Sequence, residues 1–218
     1  MPVSESVESV ILGLTKVGEK SVVLHTLSEE YGRRSFITTV SGKTSMAMFL
    51  PLNIVTADIV PNSKSDLWRA VRFVSEHPLH SLRGSMEKNA IVMFMSEVLY
   101  RTVREGDYES GLFRWCKGSI LTLDSLEDNY ANWPLIFLLE LAGALGFAPT
   151  AEDLLPFAGG RQDEFGNLLK AGRAEALMLP LSGKIRSEMS RMLLKYISFH
   201  TESDIHIRSL QVLGDLLR

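Results

Sequence analysis

The spacing of apolar residues changes at His77-Pro78-Leu79, and that change divides the chain into a part that reads as strands and a part that reads as helices. Before it lie short runs rich in Val, Ile and Leu. Val7 to Thr15 (VESVILGLT) ends at the turn signal Lys16-Val17-Gly18-Glu19-Lys20, Ser21 to Leu27 (SVVLHTL) ends at Ser28-Glu29-Glu30-Tyr31-Gly32, and Arg33 to Val40 (RRSFITTV) follows. Branched side chains fit a pleated, half-buried surface, so the three runs predict a meander of strands. Ser41 to Met48 has no period and reads as a loop. Leu52 to Val60 reads as a fourth strand closing at Pro61-Asn62-Ser63, and Leu67 to Val74 as a less regular fifth. Five short strands in about eighty residues predict a small closed barrel of OB type, because closure removes the exposed edges of an open sheet.

After Leu79 apolar residues recur at three and four. Ala90, Ile91, Phe94, Met95, Val98 and Leu99 line one face of a helix from Met86 to Arg104 that stops at Gly106. Tyr108 to Leu126 makes a second helix, with Leu112, Trp115, Cys116, Ser119, Ile120 and Leu123 inward. Trp133 to Leu145 makes a third, with Gly146 placed to end it and Pro149 beyond. Glycines and prolines between 150 and 183 predict an irregular excursion that still buries Phe157, Phe165 and Leu168. Ile185 to Phe199 and Ser203 to Leu217 close the chain as helices. The fold class expected is α+β, an OB barrel over residues 1–80 followed by a helical domain over 81–218.

Composition narrows the function. With 45% hydrophobic residues in a chain of 218, a core forms without staples, and the single cysteine, Cys116, excludes both a disulfide framework and a cysteine-rich zinc site. One thiol and an N-terminus lacking a basic, apolar leader predict a cytoplasmic location. The most apolar stretch, Trp133 to Ala148, falls short of the roughly 20 residues a spanning helix needs and carries Glu140. Net charge is −3, so a polyanion must be bound by a local patch, not by bulk charge.

No chemistry-bearing motif is complete. Gly42-Lys43-Thr44 resembles the tail of a phosphate-binding loop, but Ile37 stands where its first glycine belongs. Of His25, His77, His80, His200 and His206, only His77 and His80 lie close, separated by Pro78 and Leu79; no Asp or Cys completes a tetrahedral set at zinc spacing, and no Gly-x-Ser-x-Gly elbow is present. The expectation is a non-enzyme without metal or cofactor. Binding is better supported. Lys16, Lys20, Arg33, Arg34, Lys43, Arg69 and Arg72 fall in or beside the turns and strands of the barrel, where an OB fold holds nucleic acid across its middle strands. Tyr31 and Phe36 are the aromatics available for stacking. The alternative is a protein-only scaffold that uses the barrel without touching DNA.

The order of several short motifs resembles the RecO family of recombination mediators. Val10-Ile11-Leu12, Gly18-Glu19-Lys20-Ser21 and Leu27-Ser28-Glu29-Glu30-Tyr31-Gly32-Arg33 look like that family's opening, and Ser41-Gly42-Lys43 with Phe49-Leu50-Pro51-Leu52 like its basic loop and the element after it. Glu97-Val98-Leu99-Tyr100, Leu112-Phe113, Phe137-Leu138-Leu139-Glu140-Leu141, Leu145-Gly146-Phe147-Ala148-Pro149, Tyr196 to His200 and Ile207 to Leu213 look like the helical domain of its Bacteroidetes branch. Many members carry a four-cysteine zinc element after the Leu-Gly-Phe helix; here Phe157 to Ala176 holds no cysteine, so no metal is implied. The resemblance implies an ATP-independent mediator of DNA repair and recombination. Such a protein binds and anneals single- and double-stranded DNA, docks on the acidic, apolar tail of single-stranded DNA-binding protein, and acts with RecR to load RecA. A pocket for that tail is expected from Trp115, Phe137, Leu138 and Leu141 with Arg114 and Lys117 at its rim.

Overall fold

The computed structural model describes residues 4–40, 46–62 and 65–217. The chain forms two compact units: Met1–Leu79 with Val103–Ile120, and His80–Thr102 with Leu121–Arg218. The return of Val103–Ile120 to the first unit has no counterpart in a division at residue 80.

In the first unit β1 (Glu5–Lys16), β2 (Ser21–Ser28), β3 (Gly32–Thr39), β4 (Ile54–Val60) and β5 (Trp68–Val74) close into a barrel in the order β1-β2-β3-β5-β4. All pairs are antiparallel except β3 with β5, where Phe36 faces Trp68 and Ile37 faces Arg69. This is the strand order of an OB fold. β1 is long enough to serve two neighbours: Glu5 to Val10 pairs with β4 and Ser9 to Lys16 with β2, the register shifting between Ile11 and Gly13. A bulge of this kind bends one strand around a barrel corner.

Two apolar clusters fill the barrel. Val7, Phe36, Ala57, Ile59 and Ala70 pack with Tyr31 and Trp68, while Ile11, Val22, Leu24, Phe49 and Val55 pack with Leu14 and Val40. Phe49 reaches in from a 3₁₀ turn, Met46–Phe49, which overlaps the end of the stretch expected to be loop, and meets Phe73 edge to face at 4.8 Å. The uneven pattern of β5 has a backbone cause. Arg72 has φ 55 and the register against β4 shifts between Thr56 and Asp58, so alternation breaks before Phe73.

The second unit contains α1 (His80–Gly84), α2 (Met86–Thr102), the end of α3 (Leu112–Ser125), α4 (Trp133–Ala144), α5 (Ala151–Leu154), α6 (Gln162–Lys170), α7 (Arg173–Met178), α8 (Gly183–His200) and α9 (Ser209–Leu216). α4 is apolar on nearly every side and is the central element, as such a helix must be. It ends as its sequence predicts: Gly146, at φ 89, donates to Gly143 O at 3.0 Å and Phe147 to Ala142 O at 2.9 Å, which satisfies the last carbonyls. The excursion at 150–183 is more regular than expected. Thr150 and Asp153 form a reciprocal cap that starts α5, the Gly172 N–H donates to Glu175 at 3.0 Å as α7 begins, and Phe165 and Leu168 are buried. Packing holds the segment.

Glu97 of α2 holds the start of α9. Its carboxylate accepts from the N–H groups of Arg208 (3.0 Å) and Ser209 (2.9 Å) and from the Ser209 hydroxyl (2.6 Å). Burial opposes ionisation, but the bonds from Ser209 and Arg208, with Arg101 nearby, hold the carboxyl below its ordinary value. A depressed carboxyl pKa stabilises the fold above the unfolded value and loses that contribution as pH falls through the folded one. Glu97→Gln is therefore expected to cost about 1–2 kcal/mol at neutral pH. In thermal unfolding the gap between wild type and variant should narrow towards about pH 3; a gap that stays constant would contradict this role.

Candidate nucleic-acid interface

Cross-strand pairing places rows of side chains on the outer face of β1, β2, β3 and β5. Thr15 pairs with Val23, Val23 with Ile37 and Ile37 with Arg69, giving one row across four strands. Thr15 and Arg69 are exposed, Val23 and Ile37 half-buried. The turn from β1 to β2, closed by the Val17 N–H on Ser21 O at 3.1 Å, sets Lys16 and Lys20 in solvent at the end of these strands. None of Lys16, Lys20 and Arg69 has an ion-pair partner among the described residues. The row therefore offers apolar surface for bases, with cations to neutralise phosphates.

The neighbouring row is polar and tied together. His25 Nδ1 lies 2.9 Å from Ser35 Oγ and His25 Nε2 lies 2.9 Å from Thr15 Oγ1. Burial lowers the pKa of this imidazole, and Arg33 adds to the effect against an opposing pull from Glu105. The ring is neutral at neutral pH. One row further along, Leu27 pairs with Arg33 and both are closed off from solvent.

What closes that end is the segment leading into α3. Gly106 N–H donates to Arg33 O at 2.9 Å and Arg33 N–H to Asp107 O at 3.2 Å, so the turn at 104–107 is hydrogen-bonded to the start of β3. Glu105 adds side-chain contacts. Its Oε1 accepts from the Ser35 N–H at 2.9 Å, and its Oε2 lies 3.7 Å from Arg33 Nη1.

The expected DNA ligands thus divide. Lys16, Lys20 and Arg69 stand free at the open row, whereas Arg33 is buried against Glu105 and Arg72 is ion-paired with Asp58. Arg34 points to the other side of β3, at the mouth of the barrel, with its guanidinium 3.7 Å above the Trp68 ring and 5.8 Å from that of Tyr31. A hydrogen bond to Glu5 at 2.6 Å fixes Tyr31 and, with burial, pushes its phenol up to about 12. Lys43 lies outside the described residues. Phe36, considered for stacking, is barrel core. Trp68 and Glu105 are absent from the sequence-based set: an aromatic at the start of a strand is a weak sign of stacking, and nothing local links residue 105 to residues 33 and 35.

The residues expected to form the tail pocket divide between the two units, and the apolar ones in the second are closed to solvent. Phe137, Leu138 and Leu141 are all 0% exposed, because a helix apolar on every side buries every side. Arg114 and Lys117 are committed to carboxylates, Glu29 at 3.3 Å and Glu8 at 2.7 Å, and Trp115 is half-buried in the first unit. Cys116 is fully buried, which pushes its thiol up to about 12 and leaves it unreactive. No cluster of three metal-ligating side chains occurs among the described residues, and no helix there is long and apolar enough to cross a membrane.

Comparison with known proteins returns one family. The model described as "Recombination protein O C terminal" matches residues 83–153. The DNA repair protein RecO of Bacteroides fragilis is 31% identical over 95% of this chain and 96% of its own length. That of Christiangramia forsetii is 29% identical over 96% and 97%, and that of Flavobacterium psychrophilum 30% identical over 65% and 61%.

Proposed function

Because the chain belongs to the RecO family of DNA repair proteins, we propose that it is a non-enzymatic recombination mediator that lays single-stranded DNA across the open row of its barrel. The observation that carries this reading is the face itself: Thr15, Val23, Ile37 and Arg69 in register across four strands, with Lys16 and Lys20 at its rim. Cations there neutralise phosphates, and the half-buried apolar row accepts bases. The protein then anneals complementary strands and helps exchange single-stranded DNA-binding protein for RecA recombinase, docking on the acidic tail of the former and working with RecR. It does this without ATP, metal or cofactor, inside the bacterial cytoplasm, and accepts double-stranded DNA through the same phosphate contacts.

Each neutralised phosphate releases counterions, so affinity falls with salt, by about 0.7 in log–log slope per contact on a single strand. Replacing Lys16, Lys20 and Arg69 together with Ala is expected to weaken binding of labelled oligo(dT) about tenfold or more at low salt and to flatten the slope by about 2. Fluorescence anisotropy at several salt concentrations measures both. Equal affinity and slope in the two proteins would remove this face from the reading. The protein-only alternative draws on the pairing of Arg33, Arg72, Arg114 and Lys117 with carboxylates inside the first unit. Capture of single-stranded DNA-binding protein by a chain with no measurable affinity for DNA would decide for that alternative.

A further inference from the structure

Arg33 is a cation that the barrel hides. Its side chain is 9% exposed, while that of Glu105, which covers it, is 51% exposed. A structural ion pair on a barrel surface needs no such arrangement. The two oxygens of Glu105 are used separately, one on the Ser35 N–H and one facing the Arg33 guanidinium. That is the two-point recognition a phosphodiester receives from an arginine and a backbone amide. Ser35 stands two residues along β3 from Ile37, about 7 Å, so this cradle continues the open row in line along the strand.

Resting on the reading just given, we infer that Arg33 and the Ser35 N–H form a backbone-phosphate subsite, which Glu105 fills with its own carboxylate in the free protein. Single-stranded DNA gains this contact by displacing residues 104–107. The segment is built to be displaced. Residues 104–110 are exposed, and Gly106 and Gly111 have φ 90 and 84, conformations that only glycine adopts freely. The segment's ties to β3 include two backbone hydrogen bonds to Arg33, the bond from the Ser35 N–H to Glu105 and a half-solvated ion pair, each a modest contribution in water. The carboxylate thus limits the length of strand that the barrel holds until a phosphate replaces it.

The test is oligo(dT) binding by Glu105→Gln, which keeps the side chain's shape and removes its charge. Affinity is expected to rise about fivefold, one contact's worth, and the salt slope to steepen by about 0.7. The double variant Glu105→Gln/Arg33→Ala is expected to show neither gain. A folded Glu105→Gln protein that binds no tighter than wild type overturns the subsite and leaves the DNA-binding reading intact; absence of DNA binding in all three proteins overturns both. Hydrogen exchange on the wild type decides independently of any variant. Saturating oligo(dT) should speed exchange at the Gly106 amide, whose bond to Arg33 O is broken, and slower exchange there overturns the inference.

Discussion

Gly32→Ala is expected to destabilise the first unit by about 3 kcal/mol. Gly32 closes the turn from β2 to β3 at φ +57, where a side chain is strained wherever it sits. Space is the larger problem. A Cβ at this position would lie 2.1 Å from Asp107 O and 3.1 Å from Asp107 C, both backbone atoms that cannot rotate away. Accommodating it means lifting the 104–107 segment and losing the bonds between Arg33 and both Gly106 and Asp107, at roughly 1 kcal/mol each on top of the backbone strain. Gly106→Ala is the control: its φ is +90 but nothing lies within 4 Å, so only the conformational term of about 1 kcal/mol applies. Urea titration of the three proteins measures the difference. A Gly32→Ala protein no less stable than Gly106→Ala would mean that the contact between the turn and the segment is absent in solution.

That turn also marks the limit of what the sequence discloses. The β-branched runs and their turns locate all five strands to within two residues at either end, because branched side chains favour strands and polar turn residues end them. The helices α2 and α8 are equally legible from their spacing, and α4 from its unbroken apolar run and from Gly146 at its end. Periodicity tells which face of a helix is buried, but not against what. Leu112, Cys116 and Ile120 read correctly as inward, yet nothing in them says that their half of α3 belongs with the barrel. Isolated cations are harder still. Arg33 and Arg34 are adjacent in sequence, but alternation sends one to the outer face beneath Glu105 and the other to the barrel mouth over Trp68. Proximity in sequence groups residues that a strand separates. The apolar members of the expected tail pocket fail for a reason visible beforehand: with Glu140 the sole charge between Trp133 and Ala144, no face of α4 is polar enough to be the solvent side.

Lys88→Met is expected to cost the second unit about 3 kcal/mol although it keeps the length and much of the volume of the side chain. Lys88 is 1% exposed, inside a helical face that would ordinarily be apolar. Its Nζ donates to Ser81 Oγ at 2.6 Å, to Asp124 O at 3.4 Å and to Leu126 O, and lies 5.2 Å from the centre of the Tyr130 ring. Asp124 O belongs to the last turn of α3 and Leu126 O lies just past its end, where terminal C=O groups have no partner within the helix. The ammonium thus acts as a C-cap delivered from α2, and a thioether leaves those acceptors buried and unbonded. Desolvation lowers the pKa of the amine, opposed by Asp124 and Glu127. Between the lowered folded value and the ordinary lysine value the unfolded chain holds more protons, so this group's contribution to stability rises with pH there. Lys88→Met should remove that alkaline rise together with the cap. Denaturant titrations of both proteins at about pH 7 and about pH 10 test the two effects separately. A variant as stable as wild type would mean that water, not Lys88, satisfies the end of α3.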